Sequence, residues 1–204
     1  MEVRTGFAAL GATSGDLKLY YEDMGDIDDP PVLLIMGLGA QLLLWRTGFC
    51  EKLVGQGLRV IRYDNRDVGL SSKTEHRSSG QPLATRLVRS WLGLRSAAAY
   101  TLEDMADDAA EGYDRNYYPQ GVARHFSAVL GSGSLARYNR RIVAPTVVIH
   151  GRADKLMRPF GGRKVARAID GARLVLFDGM GHDLPQQLWD RVIGVLTSNF
   201  ANAR

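Results

Sequence analysis

Val32-Leu33-Leu34-Ile35-Met36-Gly37-Leu38-Gly39 is the stretch that decides the fold. Five apolar residues run without alternation and then meet glycine. Such a run reads as a strand buried on both faces, the mark of a parallel sheet. Upstream, Leu17-Lys18-Leu19-Tyr20-Tyr21 alternates and is rich in β formers, so the opening of the chain reads as a strand pair. Asp26 to Pro31 is a turn cluster. Downstream, Trp45 to Gln56 has helical spacing, with Trp45, Phe49, Leu53 and Val54 on one face and Gly57 as the stop. Val60-Ile61-Arg62-Tyr63 is the next strand, followed by an Asp64–Asp67 loop. Strand, helix, strand is the unit of a parallel sheet.

The remainder continues the alternation. Ser71 to Gln81 is polar and reads as loop, and Leu83 to Leu94 is apolar with Arg86 and Arg89 interspersed. Thr101 with Asp104 opens a helix through Met105 and Ala110. Pro119 to Leu130 is a further helix, stopped by Gly131-Ser132-Gly133. Thr146 to Ile149 is a strand ending at His150-Gly151, Phe160 to Ile169 a helix, and Arg173 to Phe177 a last strand. Leu184 to Phe200 is a closing helix with Leu188, Val192, Val195 and Leu196 as its apolar stripe. The expected fold class is α/β, a mostly parallel sheet with flanking helices and a small antiparallel start. One domain over residues 1–204 is expected.

The composition fits a soluble globular chain, with 204 residues, 45% hydrophobic and 24% charged. It excludes disordered, collagen-like and disulfide-framework classes. A chain this size buries roughly 70% of the surface its unfolded form exposes, so its core needs no metal or staple. The net charge is +4, yet the 21 arginines are spread along the chain without a basic tract, which argues against nucleic acid as a partner. Cys50 is the sole cysteine and cannot form an internal disulfide, which fits a reducing compartment. With no N-terminal signal pattern and no long apolar run, the expected location is the cytoplasm. Four scattered histidines and one cysteine have no ligand spacing, and no phosphate loop or dinucleotide fingerprint is present, so neither metal nor cofactor is expected.

Ligands of open α/β sheets bind outside the carboxyl ends of the strands, and three such ends carry suggestive residues. At Met36-Gly37-Leu38-Gly39 small residues let the backbone bend and turn the Leu38 N–H toward a ligand oxygen, the geometry an oxyanion hole needs. In His150-Gly151-Arg152-Ala153-Asp154 an aspartate four residues past a strand end can receive an imidazole N–H. In Asp178-Gly179-Met180-Gly181-His182-Asp183-Leu184-Pro185 glycines free a loop to set His182 over the sheet. Asp154 and His182 then form an orienter and general-base pair. Asp170 and Asp178 are weaker competitors for the acid. His150 reads as structural, Asp64 and Arg66 as a hydrogen-bonded turn, and Cys50 as packing.

Together these motifs, with Tyr63-Asp64-Asn65-Arg66-Asp67-Val68-Gly69-Leu70-Ser71, resemble the α/β-hydrolase family from about Leu17 to Phe200, and the order of acid before histidine matches it. The resemblance implies hydrolysis of carboxylic esters, as in small bacterial esterases and lipases. It implies Asp154 as triad acid, His182 as triad base, and Leu38 with Gly39 at the substrate carbonyl. The partner it implies is a small ester or lipid-like molecule. The basic, apolar segment from Arg86 to Arg95 suits either a helix packed on the sheet or contact with a membrane surface or lipid substrate; packing is the preferred reading.

The family nucleophile is a serine in a G-x-S-x-G elbow, and no such pentapeptide occurs here. Gly131-Ser132-Gly133-Ser134 comes closest, and Ser71 and Ser72 are weaker candidates. Ala110-Glu111 runs directly into Gly112-Tyr113, which reads as a deletion at the 111–112 junction that removes the elbow strand and most of the cap. Val32–Met36 and Thr146–Ile149 are then expected to pair directly, and open strand edges favour a homo-oligomer. Losing the serine costs on the order of 10⁶ in kcat in a well-studied triad enzyme. The alternative function is an inactive relative retained as a binding or oligomerising module, or a truncated product without function.

Overall fold

Strands β1 (Val3–Ala9) and β2 (Lys18–Met24) pair antiparallel along their whole length, Val3 opposite Met24 and Ala9 opposite Lys18. This is a computed structural model, which describes residues 1–9, 17–74, 82–92, 94, 102, 105, 119–132 and 136–202. Strand β2 pairs antiparallel with β4 (Arg59–Tyr63), and β4 pairs parallel with β3 (Pro31–Leu34). The resulting order is β1-β2-β4-β3. Helix α1 (Thr47–Val54), preceded by a 3-10 turn at Leu42–Leu44, makes the crossover from β3 to β4 and buries Phe49, Cys50 and Leu53. Leu19, Leu42 and Tyr63 form a cluster on which Leu17, Tyr20 and Tyr21 pack. The strand pair, the helix and the parallel step follow the hydrophobic periods of the sequence.

The chain divides into two compact units, Met1–Ser134 and Leu135–Arg204. The first also holds helix α2 (Leu83–Trp91) and helix α3 (Pro119–Ser132). The second opens with a short helix, α4 (Ala136–Asn139). Its strands β5 (Val147–Gly151) and β6 (Arg173–Phe177) pair parallel, Val147 opposite Arg173 and Gly151 opposite Phe177. Helix α5 (Pro159–Ala168) supplies the crossover. Helix α6 (Trp189–Ala201) closes the chain after a 3-10 turn at Gln186–Leu188. No described helix is long and apolar enough to cross a membrane.

Three expectations fail and a fourth holds in part. The Val32–Met36 run is not buried on both faces: β3 lies at the end of its sheet, leaving Leu33 43% and Ile35 53% exposed. Strands β3 and β5 belong to separate sheets. Each takes its parallel partner from its own strand–helix–strand unit. Helix α3 runs through Gly131 to Ser132, whose Oγ donates to the Ala128 carbonyl at 2.7 Å. In α6 Val192 is buried as expected, with Trp189 and Ile193 beside it, while Leu188, Val195 and Leu196 are half-buried.

Arg86, in the basic and apolar segment of α2, is buried and donates to Oγ and the carbonyl of Ser127 at 3.0 Å each, tying α2 to α3. The apolar Leu87, Val88 and Trp91 face outward, Trp91 being 84% exposed. The Thr101–Ala110 helix, the 111–112 junction and Ser134 lie outside the described residues, apart from Leu102 and Met105.

The first sheet is crossed by a buried ion pair. Arg62 Nη2 meets Glu22 Oε2 at 2.5 Å, Nε donates to the same oxygen at 2.9 Å, and Nη2 reaches Thr47 Oγ1 at 3.2 Å. A further donation to the Trp45 carbonyl ties the guanidinium to the entry of α1. Burial pushes the Cys50 thiol up to about 11, with Arg62 only partly opposing it, so Cys50 is a protonated packing residue. Removing one partner of a buried pair strands the other charge. Glu22→Ala is therefore expected to destabilise the first unit by about 3–5 kcal/mol, read from urea denaturation midpoints; a loss under about 1 kcal/mol, the range of exposed pairs, would show that Arg62 finds water instead.

Candidate active site

Parallel, in-register pairing of β5 and β6 ends both strands at one edge, and their loops leave side by side. The backbone locks them there: Arg152 N–H donates to the Phe177 carbonyl and Ala153 N–H to the Met180 carbonyl, each at 3.0 Å. Contact at Gly151 is so close that a Cβ there would lie 2.2 Å from the Met180 oxygen. A glycine at the end of β5 is thus a condition for bringing the Gly179–Pro185 loop over the strand.

Asp154 sits in that junction with its side chain buried. Oδ1 accepts the backbone N–H groups of Leu156 at 2.9 Å and Met157 at 2.8 Å, a turn made by the aspartate itself. Oδ2 accepts His182 Nδ1–H at 2.9 Å. Burial alone raises the Asp154 pKa, but the His182 bond and the Met157 and Leu156 amides outweigh it and hold the carboxyl below its ordinary 3.8. A carboxylate can only accept, so Nδ1 carries a proton and Nε2 is the ring nitrogen placed to accept one. The His182 side chain is 56% exposed. That is the arrangement of an anchored acid and an accessible base.

The neighbours are accounted for. His150 Nε2 donates to the Met157 carbonyl at 2.5 Å and stands 3.6 Å from Asp154 Oδ2, buttressing the turn. Asp178 lies on the surface and pairs with Arg152 at 2.8 Å. A cavity of about 410 Å³ opens beside the pair, with His150, Asp154, Met157, Gly162, Met180 and His182 in its wall. Among the described residues no cluster of His, Cys, Asp or Glu is arranged to hold a metal.

Leu38 and Gly39 lie in the first unit. Ala40 N–H donates to the Gly37 carbonyl at 3.3 Å, closing a turn in which Gly39 has φ +64°, a conformation glycine adopts without strain. Asn65 Nδ2 donates to the Met36 carbonyl at 3.0 Å. Asp64 accepts Leu42 N–H at 2.7 Å and Leu70 N–H at 3.1 Å, the hydrogen-bonded turn expected of it. The Leu38 N–H makes no hydrogen bond to a described residue, whereas Gly39 N–H donates to His125 Nδ1 at 3.0 Å. His125, on α3, is a functional candidate that only the folded chain brings to notice. A lone histidine on a helix carries no spacing signal, and its partners lie 86 and 59 residues away.

No family model matches the chain. Rhodomycin D methylesterase DnrP of Streptomyces peucetius is 43% identical over 63 residues, 31% of this chain and 21% of that enzyme. Rhodomycin D methylesterase DauP of Streptomyces sp. (strain C5) is 43% identical over 61 residues, 30% of this chain and 20% of that enzyme. The match spans about a fifth of the length of these curated relatives. Among solved structures, a thermophilic esterase from Thermogutta terrifontis aligns with TM-score 0.71 at 16% identity, covering 98% of this chain and 99% of that one. A hydrolase from Pseudomonas aeruginosa aligns with TM-score 0.67 at 20% identity, covering 97% and 98%. A bromoperoxidase from Bacillus anthracis gives 0.67 at 17% identity, covering 97% and 100%. The chain has the α/β-hydrolase fold.

Among the described residues, the serines weighed as replacements for an α/β-hydrolase nucleophile are Ser71, Ser72 and Ser132, and each hydroxyl is bonded to the scaffold. Ser132 is buried in α3, where its Oγ also accepts Leu102 N–H at 2.9 Å. Ser71 Oγ donates to the Asp64 carbonyl at 2.5 Å, and Ser72 Oγ accepts Lys18 N–H at 2.8 Å.

The depressed Asp154 pKa has a thermodynamic sign. Its contribution is complete above 3.8 and is lost as pH falls through the lower folded value. Carbon-detected titration of the Asp154 carboxyl is expected to give a midpoint under 3.8; a midpoint at or above it would mean that the His182 and amide donors do not hold the charge.

Proposed function

We propose that the chain is a carboxylic ester hydrolase by descent that keeps the acid–base pair and lacks the serine elbow. The 2.9 Å bond from His182 Nδ1 to Asp154 carries this reading. Methylesterase and esterase relatives support an ester as the substrate class. His182 Nε2 takes a proton from water as that water attacks the ester carbonyl carbon. Asp154 holds the imidazole tautomer and balances the imidazolium that forms, and the proton then passes to the leaving alkoxide. This reading also takes Leu38 and Gly39, on the Gly37–Ala40 turn, as substrate-binding residues. General-base assistance contributes about 10²–10⁴ in rate, so turnover is slow. The same reading takes a small ester as substrate, the cytoplasm as location, and residues 1–204 as one domain shortened at the 111–112 junction.

A second reading, an inactive binding module, is favoured by one observation: Ser71, Ser72 and Ser132 all have their hydroxyls tied into the scaffold. The test is a p-nitrophenyl acetate assay beside fluorophosphonate labelling. Slow turnover reduced at least about 10²-fold by His182→Ala, with no covalent label, is the expected result. Turnover insensitive to His182→Ala would place the chemistry elsewhere, and no turnover at all would leave the binding module. Labelling lost in His182→Ala would reveal an activated serine and overturn the water mechanism.

A further inference from the structure

We propose that His125 is a positioning residue that withdraws the Gly39 N–H from the Gly37–Ala40 turn and leaves the Leu38 N–H as the turn's donor to a substrate oxygen. The catalytic part of this inference rests on the ester-hydrolase reading; the hydrogen-bond part does not.

The geometry is closed at every atom. Gly39 N–H is a donor and meets Nδ1 at 3.0 Å, so Nδ1 is unprotonated. Nε2 then carries the ring proton and donates to the Arg66 carbonyl at 2.6 Å. The imidazole is fully buried and joins the loop after β3 to the loop after β4. Only the neutral Nε2–H tautomer satisfies both contacts, because the imidazolium would set a second donor against the Gly39 N–H. The helix carrying it is fixed beside it, Arg124 Nη1 meeting the buried Asp67 Oδ1 at 2.9 Å and Arg86 gripping Ser127. The turn would otherwise present two adjacent amides of equal standing. With one bonded to His125, a carbonyl oxygen approaching it meets a single free direction at Leu38.

Burial drives the His125 pKa below its ordinary 6.5, more than the Arg66 carbonyl bond and Asp67 raise it, and the Arg66 charge lowers it further. The charged groups acting on the ring are Asp67 and Arg66, both from the loop after β4. The Gly37–Ala40 turn brings no charged side chain. A depressed histidine contributes stability that is complete above 6.5 and lost as pH falls through the folded value.

The test uses amide hydrogen exchange on the full chain labelled with ¹⁵N-glycine, corrected for the intrinsic pH dependence of exchange. Asparagine places an acceptor where Nδ1 stands, while glutamine places a donor near Nε2 and nothing at Nδ1. His125→Asn is expected to keep Gly39 protected, and His125→Gln to speed its exchange about tenfold, the loss of one ordinary hydrogen bond. In the wild type, protection falls as His125 protonates; in His125→Asn it does not follow that titration. Equal Gly39 exchange in wild type, Asn and Gln variants, or wild-type protection indifferent to His125 protonation, would overturn the proposal. In turnover, His125→Gln is expected to lower kcat on p-nitrophenyl acetate while leaving KM in place, with Asn restoring it; unchanged kcat in His125→Gln overturns the catalytic part. Failure of the ester-hydrolase reading appears separately, as absent wild-type turnover with these exchange rates unaltered.

Discussion

Everything in the second unit follows from the parallel register of β5 against β6. Because Gly151 stands opposite Phe177, both strands end at one edge, and two backbone hydrogen bonds carry the alignment on into the loops. Asp154 and His182 are 28 residues apart in the chain yet meet at 2.9 Å. Neither residue needs a special conformation to do so. A slip of one residue would turn every side chain of the strand to the opposite face. The absence of a side chain at Gly151 lets the second loop rest directly on the first.

The Asp154 carboxylate works by saturation. Three N–H donors share its two oxygens, two from its own turn and one from His182. The two amides hold Oδ1 while the more exposed imidazole meets Oδ2. The first unit shows the same device at Asp64, whose carboxylate gathers Leu42 and Leu70, while Asn65 and His125 hold the Met36 carbonyl and the Gly39 amide. In both units short polar side chains at strand ends shape the loops, and the apolar strands and helices beneath keep them in place.

Much of this was legible in the residues. Alternation in Leu17–Tyr21, the helical spacing of Phe49 and Leu53, and the glycine-bracketed Asp154 and His182 loops each carry a local signal, and each corresponds to an element or contact in the structure. What stayed hidden depends on tertiary context. An apolar run such as Val32–Met36 cannot report whether its sheet continues beyond it. Arg86 looks like a surface arginine until Ser127 is seen to receive it. His125 has meaning only through a glycine amide and an arginine carbonyl far away in sequence.

Asp154 holds the imidazole of His182 with its proton on Nδ1. Long-range ¹H–¹⁵N spectra of the histidine rings measure this directly. His182 is expected to carry its proton on Nδ1, and Asp154→Ala to abolish this preference. A His182 ring protonated on Nε2 in the wild type, or unchanged in Asp154→Ala, would contradict it.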